Sequence, residues 1–392
     1  MSMAESISFS VRVRGAVLEM ALRDAQTCVA SRTSAPILGH VLLETQGSEL
    51  AIHATDLTRA IRVTVPCLVD VPGAIALRAR KFFDVVASLP RGEIQLETRG
   101  NAFTAISIGG LIASMPGMSG SNFPTVFPPC ADWKARFEPG TLAGLIRHVL
   151  PSLGEDNEEA GLAIGSALIR LTPAGILMVA TDNYRLSRVE YRDSTSSPED
   201  WEVLLPRHLL KTLTSLFPAI GKAPVDVGIG SEAVHFRCAN YLLASRRVPG
   251  RYPSFESVIP RWEYEAVVPT RDFYDAIERV KSFDDSALGM IRFDLQGRNL
   301  ELRAQTKGVY EGVEQLAVNW KGGDIRFCLR AQYLMSCLPH LRKSENLLIG
   351  IPDTVAPLKR VPIALTAQQG DPYNSLYLLM PTAVSRGMNE RN

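Results

Sequence analysis

In the stretch ATDNYRL, Ala180 to Leu186, a carboxylate stands three residues before a guanidinium. A carboxylate does general acid or base chemistry when its pKa is displaced and a second titrating group shares the work. The charged neighbours here, Arg185 and Arg188, would hold Asp182 ionised, and Asp at a strand end is also a turn former through its own side-chain hydrogen bonds. The turn is the simpler reading. The acidic run GEDNEEAG, Gly154 to Gly161, has carboxylates enough for a metal ion, but such runs are more often solvated loops. GLAIGSALIR, from Gly161, has only a G-x-x-x-G spacing, and no phosphate loop, zinc-protease or serine-nucleophile motif occurs. None of the cysteines Cys28, Cys67, Cys130, Cys238, Cys328 and Cys337 forms a C-x-x-C pair or a zinc-ligand spacing with a histidine, so they read as free thiols. Neither a catalytic residue, a metal nor a cofactor is expected.

The elements that must position Asp182 are repeated. ATDLTRA, from Ala54, has nearly the same letters, and the spacing from Ala54 to Ala180 is 126; a further 124 residues on, Ala304 opens the weaker copy AQTKG. An amphipathic helix pattern starts near Val17, Leu142 and Phe273. A second runs through Phe82, Leu209 and Tyr333, at spacings of 127 and 124. Pro124, Pro253 and Pro381 mark the end of each copy at spacings of 129 and 128. A period near 127 is one whole domain rather than a solenoid repeat. The reading is three similar domains, 1–131, 132–260 and 261–392, each with two helices and several short alternating strands. Their interleaving argues an α+β fold with mainly antiparallel sheet.

The chain has 392 residues, 46% hydrophobic and 21% charged, with a formal net charge of +1, so composition alone favours a soluble globular protein and votes neither for nor against nucleic acid. The opening stretch MSMAESISFSVRVRG lacks the apolar core of a secretion signal, and no apolar run reaches the ~18 residues of a membrane span; a soluble cytoplasmic protein is expected. The informative charges are local. Arg23, Arg147, Arg279 and Lys281 fall on the first helices or at their ends; Arg80, Lys81, Arg207, Lys211 and Arg330 fall at or near the starts of the second. Cations are not favoured by the helix dipole at an N-terminus. Either they are scattered solvated charges or they gather on one surface facing an anion; repeated three times without interleaved stacking aromatics, such a surface suits sequence-independent contact with a duplex backbone rather than base reading or a single-strand platform.

At these residues the chain resembles the bacterial sliding clamp family, DNA polymerase III subunit beta. RTSAPILGHVLLE from Arg32, LRARKFFDVVASLP from Leu77, VATDNYRLS from Val179, RYPSFESVIP from Arg251 and YLLMP from Tyr377 are similar to that family's landmarks, in the family's order and over essentially the whole chain. The resemblance implies a DNA-clamp fold and a homodimer closed head to tail into a ring around duplex DNA. It also implies a clamp loader that opens the ring, a processivity role without catalysis, and tethering of replicative and repair DNA polymerases at high effective concentration. Arg23, Arg32, Arg80, Lys81, Arg147, Arg207, Lys211, Arg279 and Lys281 are then the DNA-facing set.

The resemblance also implies a pocket for partner peptides between the second and third domains. Carried over residue by residue, it comprises Ile164, Thr181, Asn183, Tyr184, Arg185, Leu186, Pro253, Val258, Tyr333, Val355, Pro357, Leu378, Leu379, Met380 and Pro381. The aliphatic members would form an apolar floor, Met380 an adaptable wall, and Arg185 and Tyr184 a polar rim. The sequence departs from the family pattern in four places. Asn183-Tyr184 replaces Gly-His. Ser257 stands where Arg is frequent. Gly110 falls where a large apolar group closes the ring, and the chain continues past Val384. These departures bear on partner preference and dimer strength. The alternative is a divergent clamp-like adaptor that keeps the pocket and has lost loading or closure.

Overall fold

The computed structural model describes residues 7–382 except 101, 125–129, 131, 155–162, 193–199, 263, 286–288, 307 and 353–360. Two helices occur in each third of the chain: α1 (Gly15–Ala25), α2 (Ala79–Ser88), α3 (Pro139–Val149), α4 (Arg207–Ile220), α5 (Thr270–Val280) and α6 (Ala331–Leu341). Each buries one stripe. In α5 Thr270, Phe273, Ala276, Ile277 and Val280 face inward, the three-and-four spacing of an amphipathic helix. In α1 the stripe is Leu18, Ala21, Leu22 and Ala25, entered through Gly15, where an added Cβ would lie 3.1 Å from Ile94.

By contacts the chain divides into two compact units, Met1–Gly140 with Lys211–Arg247, and Thr141–Leu210 with Val248–Asn392. Unit one holds a thirteen-stranded antiparallel sheet. Its middle runs from Tyr241–Arg246 through Arg59–Pro66, Glu49–Thr55, His40–Gln46 and Ala74–Arg78 to Leu111–Ser119 and Phe103–Ile108. Helix α1 packs on α2 within it. Unit two holds an eight-stranded sheet, which includes Gly175–Thr181, Arg185–Tyr191, Ser375–Leu379 and Ile363–Ala367, and a four-stranded sheet ordered Tyr310–Ala317, Asn299–Thr306, Met290–Gln296, Ile325–Arg330. Its core gathers α5 and α6 around Phe273, Phe293 and Phe327, the last two stacked with ring centres 5.0 Å apart. Each such ring contributes about 2 kcal/mol relative to an exposed one. The architecture is α+β with antiparallel sheets, as the irregular interleaving of elements implied.

One pairing rule recurs. The strand that follows each Thr-Asp turn pairs on one edge with its own hairpin and on the other with the last strand of the next repeat. Arg59–Pro66 takes Tyr241–Arg246, with Ile61 opposite Leu243. Arg185–Tyr191 takes Ser375–Leu379, with Leu186 opposite Leu378. The third such strand, Tyr310–Ala317, pairs with Asn299–Thr306 and is the edge of its sheet among the described residues.

Candidate partner-docking site and basic helix faces

The Thr-Asp turns have the same wiring at both sites. The Asp182 Oδ1 accepts the N–H groups of Tyr184 (3.0 Å) and Arg185 (2.9 Å), its Oδ2 accepts Arg185 Nε (2.9 Å), and Thr181 Oγ1 donates to the Arg185 carbonyl (2.8 Å). In the first copy Asp56 Oδ1 receives Thr58 N–H (3.0 Å) and Arg59 N–H (2.9 Å), its Oδ2 receives Arg59 Nε (2.9 Å), and Thr55 Oγ1 donates to the Arg59 carbonyl (2.8 Å). Both turns need a left-handed residue, Leu57 at φ 72 and Asn183 at φ 70. Asn meets that demand at lower cost than Leu. Each arginine then reaches the second helix of the following repeat: Arg59 donates to Thr212 Oγ1 on α4 (2.8 Å), Arg185 to Ser336 Oγ on α6 (3.2 Å). Asp182 is therefore a turn and anchor residue, with three hydrogen bonds committed to its own turn. At Asp56 burial pushes the carboxyl up, but the bonds from Thr58 and Arg59 outweigh it and leave it below the usual range.

Around the second turn several of the predicted pocket residues come together. The Tyr184 carbonyl accepts the Met380 N–H (2.8 Å), which ties the turn to the end of the last strand. Arg185 lies over the Tyr333 ring at 4.4 Å. Leu186 and Leu378 meet in an apolar cluster with Val179, Ala364, Leu376 and Phe255, over which Tyr252 and Ile259 pack. Pro253 and Val258, on that same covering segment, are exposed, as are Asn183 and Tyr184. Ile164, Thr181 and Met380 are half-buried; Pro381 is buried. Val355 and Pro357, like most of the acidic run 154–161, lie outside the described residues.

Two placements differ from the sequence expectation. Leu379 is 2% exposed and belongs to the helix-side core with Ile363 and Tyr377, because strand alternation sends it to the face opposite Leu378. Arg185 is not a free rim cation: its Asp182 partner, Ser336 and the Tyr333 ring already engage it. Arg330 stands beside it, with Nη1 donating to Tyr333 Oη (3.1 Å) and the guanidinium 5.7 Å from the Tyr184 ring centre. Its position at a helix start was the only sequence signal for it.

The basic residues divide similarly. Arg32, Arg80, Lys81, Arg147 and Lys211 are exposed. Arg23 pairs with Glu19 at 2.6 Å, Arg279 with Glu314 through Nε at 3.0 Å, and Lys281 with Glu278 at 2.9 Å, so these three sites carry little net charge. Arg207 is half-buried and donates to the carbonyls of Leu153 (2.6 Å) and Gly154 (3.0 Å). It braces the backbone at Leu153 and Gly154 and is withdrawn from the DNA-facing set.

Behind the last strand of unit two, His148 of α3 is buried with Nδ1 2.8 Å from both Ser375 Oγ and Tyr377 Oη, and its ring stacks on His340 at 4.6 Å. Burial, with His340 close by, pushes His148 down to about 4. Burial pushes the Cys28 and Cys337 thiols up to about 12, the behaviour of packed rather than reactive thiols.

Comparison with known proteins comes from three directions. Residues 9–127 match the profile described as DNA polymerase III beta subunit, N-terminal domain, and residues 137–254 match the central domain of the same subunit. The beta sliding clamp of Proteus mirabilis is 26% identical over 361 residues, covering 90% of this chain and 94% of that one. The beta sliding clamp of Synechococcus elongatus is 24% identical, covering 93% and 96%. Among solved structures, the DNA polymerase sliding clamp of Bacillus subtilis superposes with a TM-score of 0.87 at 20% identity, covering 96% of this chain and all (100%) of that one. The beta sliding clamp of C. crescentus superposes at 0.88 and 22%, covering 96% and 99%. At these identities the structural likeness speaks for the fold.

Proposed function

The chain belongs to the DNA polymerase III beta subunit family, the bacterial sliding clamps, and from that premise we propose that two copies close head to tail into a ring around duplex DNA. As a sliding clamp it is a processivity factor rather than a catalytic enzyme. The observation that carries the ring is the pairing rule. Two strands that follow a turn each take up the last strand of the next repeat, and the third, Tyr310–Ala317, stays at the edge of its sheet among the described residues. Its apolar edge, with Val309 65%, Tyr310 53% and Val313 44% exposed, then calls for the last strand of a first repeat. That strand, Leu111–Ser119, meets Ala74–Arg78 through Gly117–Ser119, which leaves its first half open on one side among the described residues. Leu111 (48%) and Ile112 (76%) are exposed there and supply the apolar surface that Gly110 lacks.

On this reading the domains are 1–131, 132–260 and 261–392. Arg32, Arg80, Lys81, Arg147 and Lys211 face the duplex without reading bases. The cluster around Leu186 and Leu378 receives apolar anchors of replicative and repair polymerases, and a loader opens the ring in the cytoplasm. No helix among the described residues is long and apolar enough to cross a membrane. The test is to load the protein with a clamp loader onto nicked circular DNA and then cut the circle. A ring is retained on the circle and lost on linearisation. Retention after cutting means groove binding, and peptide binding without any retention selects the adaptor alternative.

A further inference from the structure

We propose that the contact between the second and third repeats is a proton-operated latch: charging the stacked pair His148 and His340 releases helix α3 from the last strand, Ser375–Leu379, while the matching contact between the first and second repeats stays shut. His148 lies in the last turn of α3, and the groups around it come from the last third of the chain. It is 6% exposed, its ring stacks on His340 of α6 at 4.6 Å and tilts against Tyr373 at 4.8 Å, and Nδ1 lies 2.8 Å from the hydroxyls of Ser375 and Tyr377. The fit leaves no slack: one turn earlier, a Cβ added at Gly144 would collide with the Tyr373 hydroxyl. One histidine thus ties α3 both to α6 and to the last strand.

The surroundings oppose a charge on this pair. Arg147 lies beside His148 on α3, and Lys343 follows α6. Asp371 is the opposing carboxylate, but its oxygens already accept the N–H groups of Tyr373 (2.9 Å) and Ser375 (2.8 Å). From the strand Arg185–Tyr191 come Glu190, which pairs with Arg188 and accepts Asn374 Nδ2 at 3.1 Å, and Tyr191, 5.5 Å from the Tyr373 ring. Tyr373, Tyr377 and the Cys337 thiol, all pushed up by burial, stay neutral. A helix C-terminus ordinarily favours a histidinium. Here burial and the neighbouring cations outweigh that, and both rings are held below the ordinary histidine value. The neutral form therefore belongs to the closed latch and the charged form to the open one. The latch is shut above about pH 6.5, where an exposed histidine is neutral, and weakens as pH falls toward the folded value.

The first junction supplies the contrast. Asp24 and His148 are each the tenth residue of their helix, 124 positions apart. Tyr241 opens its strand as Ser375 opens the last one, and Tyr241 Oη donates to Asp24 Oδ2 at 2.7 Å. Burial, the largest influence, raises the Asp24 carboxyl against the bond from Tyr241 and the charge of Arg23. A carboxyl raised on folding gains stability as pH falls through its folded value, so acid tightens this contact while it loosens the other.

The test is hydrogen exchange read by mass spectrometry on the full chain at pH 7, 6 and 5, with labelling times scaled for the intrinsic pH dependence of amide exchange. After scaling, α3 and Ser375–Leu379 are expected to exchange about 20-fold faster at pH 5 than at pH 7, as for a local opening that charges one histidine. Helix α1 and Tyr241–Arg246 are expected not to accelerate. His148→Gln should abolish the acceleration, and His340→Gln, which removes a titrating neighbour of His148, should reduce it; His340→Gln carries the test if His148→Gln does not fold. No acceleration in α3 and the last strand, equal acceleration in α1 and Tyr241–Arg246, or full acceleration in the folded variants overturns the proposal.

Discussion

Asp182 and Asp56 receive two backbone donors and a guanidinium each, and both arginines continue to a hydroxyl on a helix of the following repeat. A carboxylate held this way anchors a turn. Asp182→Asn keeps one acceptor oxygen but removes the ionic half of the contact; we expect a loss of about 1–3 kcal/mol in urea unfolding, with no step of catalysis to lose. Asp56 titrates below the ordinary carboxylate range in the folded state. Its contribution is therefore complete above about pH 4, where the unfolded chain is ionised, and is lost as pH falls through the lower folded value. Asp56→Asn should flatten that acid limb in melts between pH 2 and 5. An unchanged limb would remove Asp56 from the account.

At the scale of elements, the strand Ser375–Leu379 has two sides with two duties. Leu378 faces the apolar cluster around Leu186 and Leu379 the helix-side core. Leu379→Ala should cost about 2–5 kcal/mol of stability. Met380→Ala should change peptide affinity with little effect on unfolding, and a common effect of both on unfolding would contradict the division. The core side of the same strand meets His148, whose Nδ1 lies 2.8 Å from two hydroxyls, Ser375 Oγ and Tyr377 Oη. Arg147, Lys343 and His340 disfavour its charged form and Asp371 favours it, with burial the largest influence. A folded value of about 4, below the unfolded value near 6.5, means that stability is full above about pH 6.5 and declines as pH falls toward 4, by on the order of 3 kcal/mol. His148→Gln should flatten this window in melts at pH 7, 5.5 and 4.5. A window of equal slope in the variant would place the titration elsewhere.

For the whole molecule, the open strand edge at Tyr310 and the apolar pair Leu111 and Ile112 are the features that a monomer would leave in water. Ile112→Asp is expected to shift light-scattering mass toward one subunit at micromolar concentration, while leaving melts of the monomer unaltered. A mass that stays at two subunits would move the interface away from this edge. Charge reversal at Arg147 and Lys211 together should weaken contact with DNA most at low salt, with the difference shrinking as salt rises, because exposed cations act through displaced counterions. Reversal at Arg207 should instead destabilise the fold, since its guanidinium is bound to two backbone carbonyls.

The sequence by itself determined the repeat, the helix pairs and the position of the turns. These depend on local chemistry: apolar periodicity, an Asp that bonds forward to its own backbone, and a residue able to go left-handed. It also carried enough of the family's landmarks, from Arg32 to Pro381, to point at a clamp. Only the tertiary structure decided which charges are available. Arg185, Arg207 and Arg279 look alike as letters, yet one is neutralised within its turn, one is bound to carbonyls and one is paired with Glu314 across a strand. The same holds for Leu378 and Leu379, neighbours sent to opposite cores by the pleat, and for Arg330, which stands near Tyr333 three residues on and Tyr184 far away in sequence. Pairing and burial are properties of three-dimensional neighbours, and a period of 127 residues does not state them.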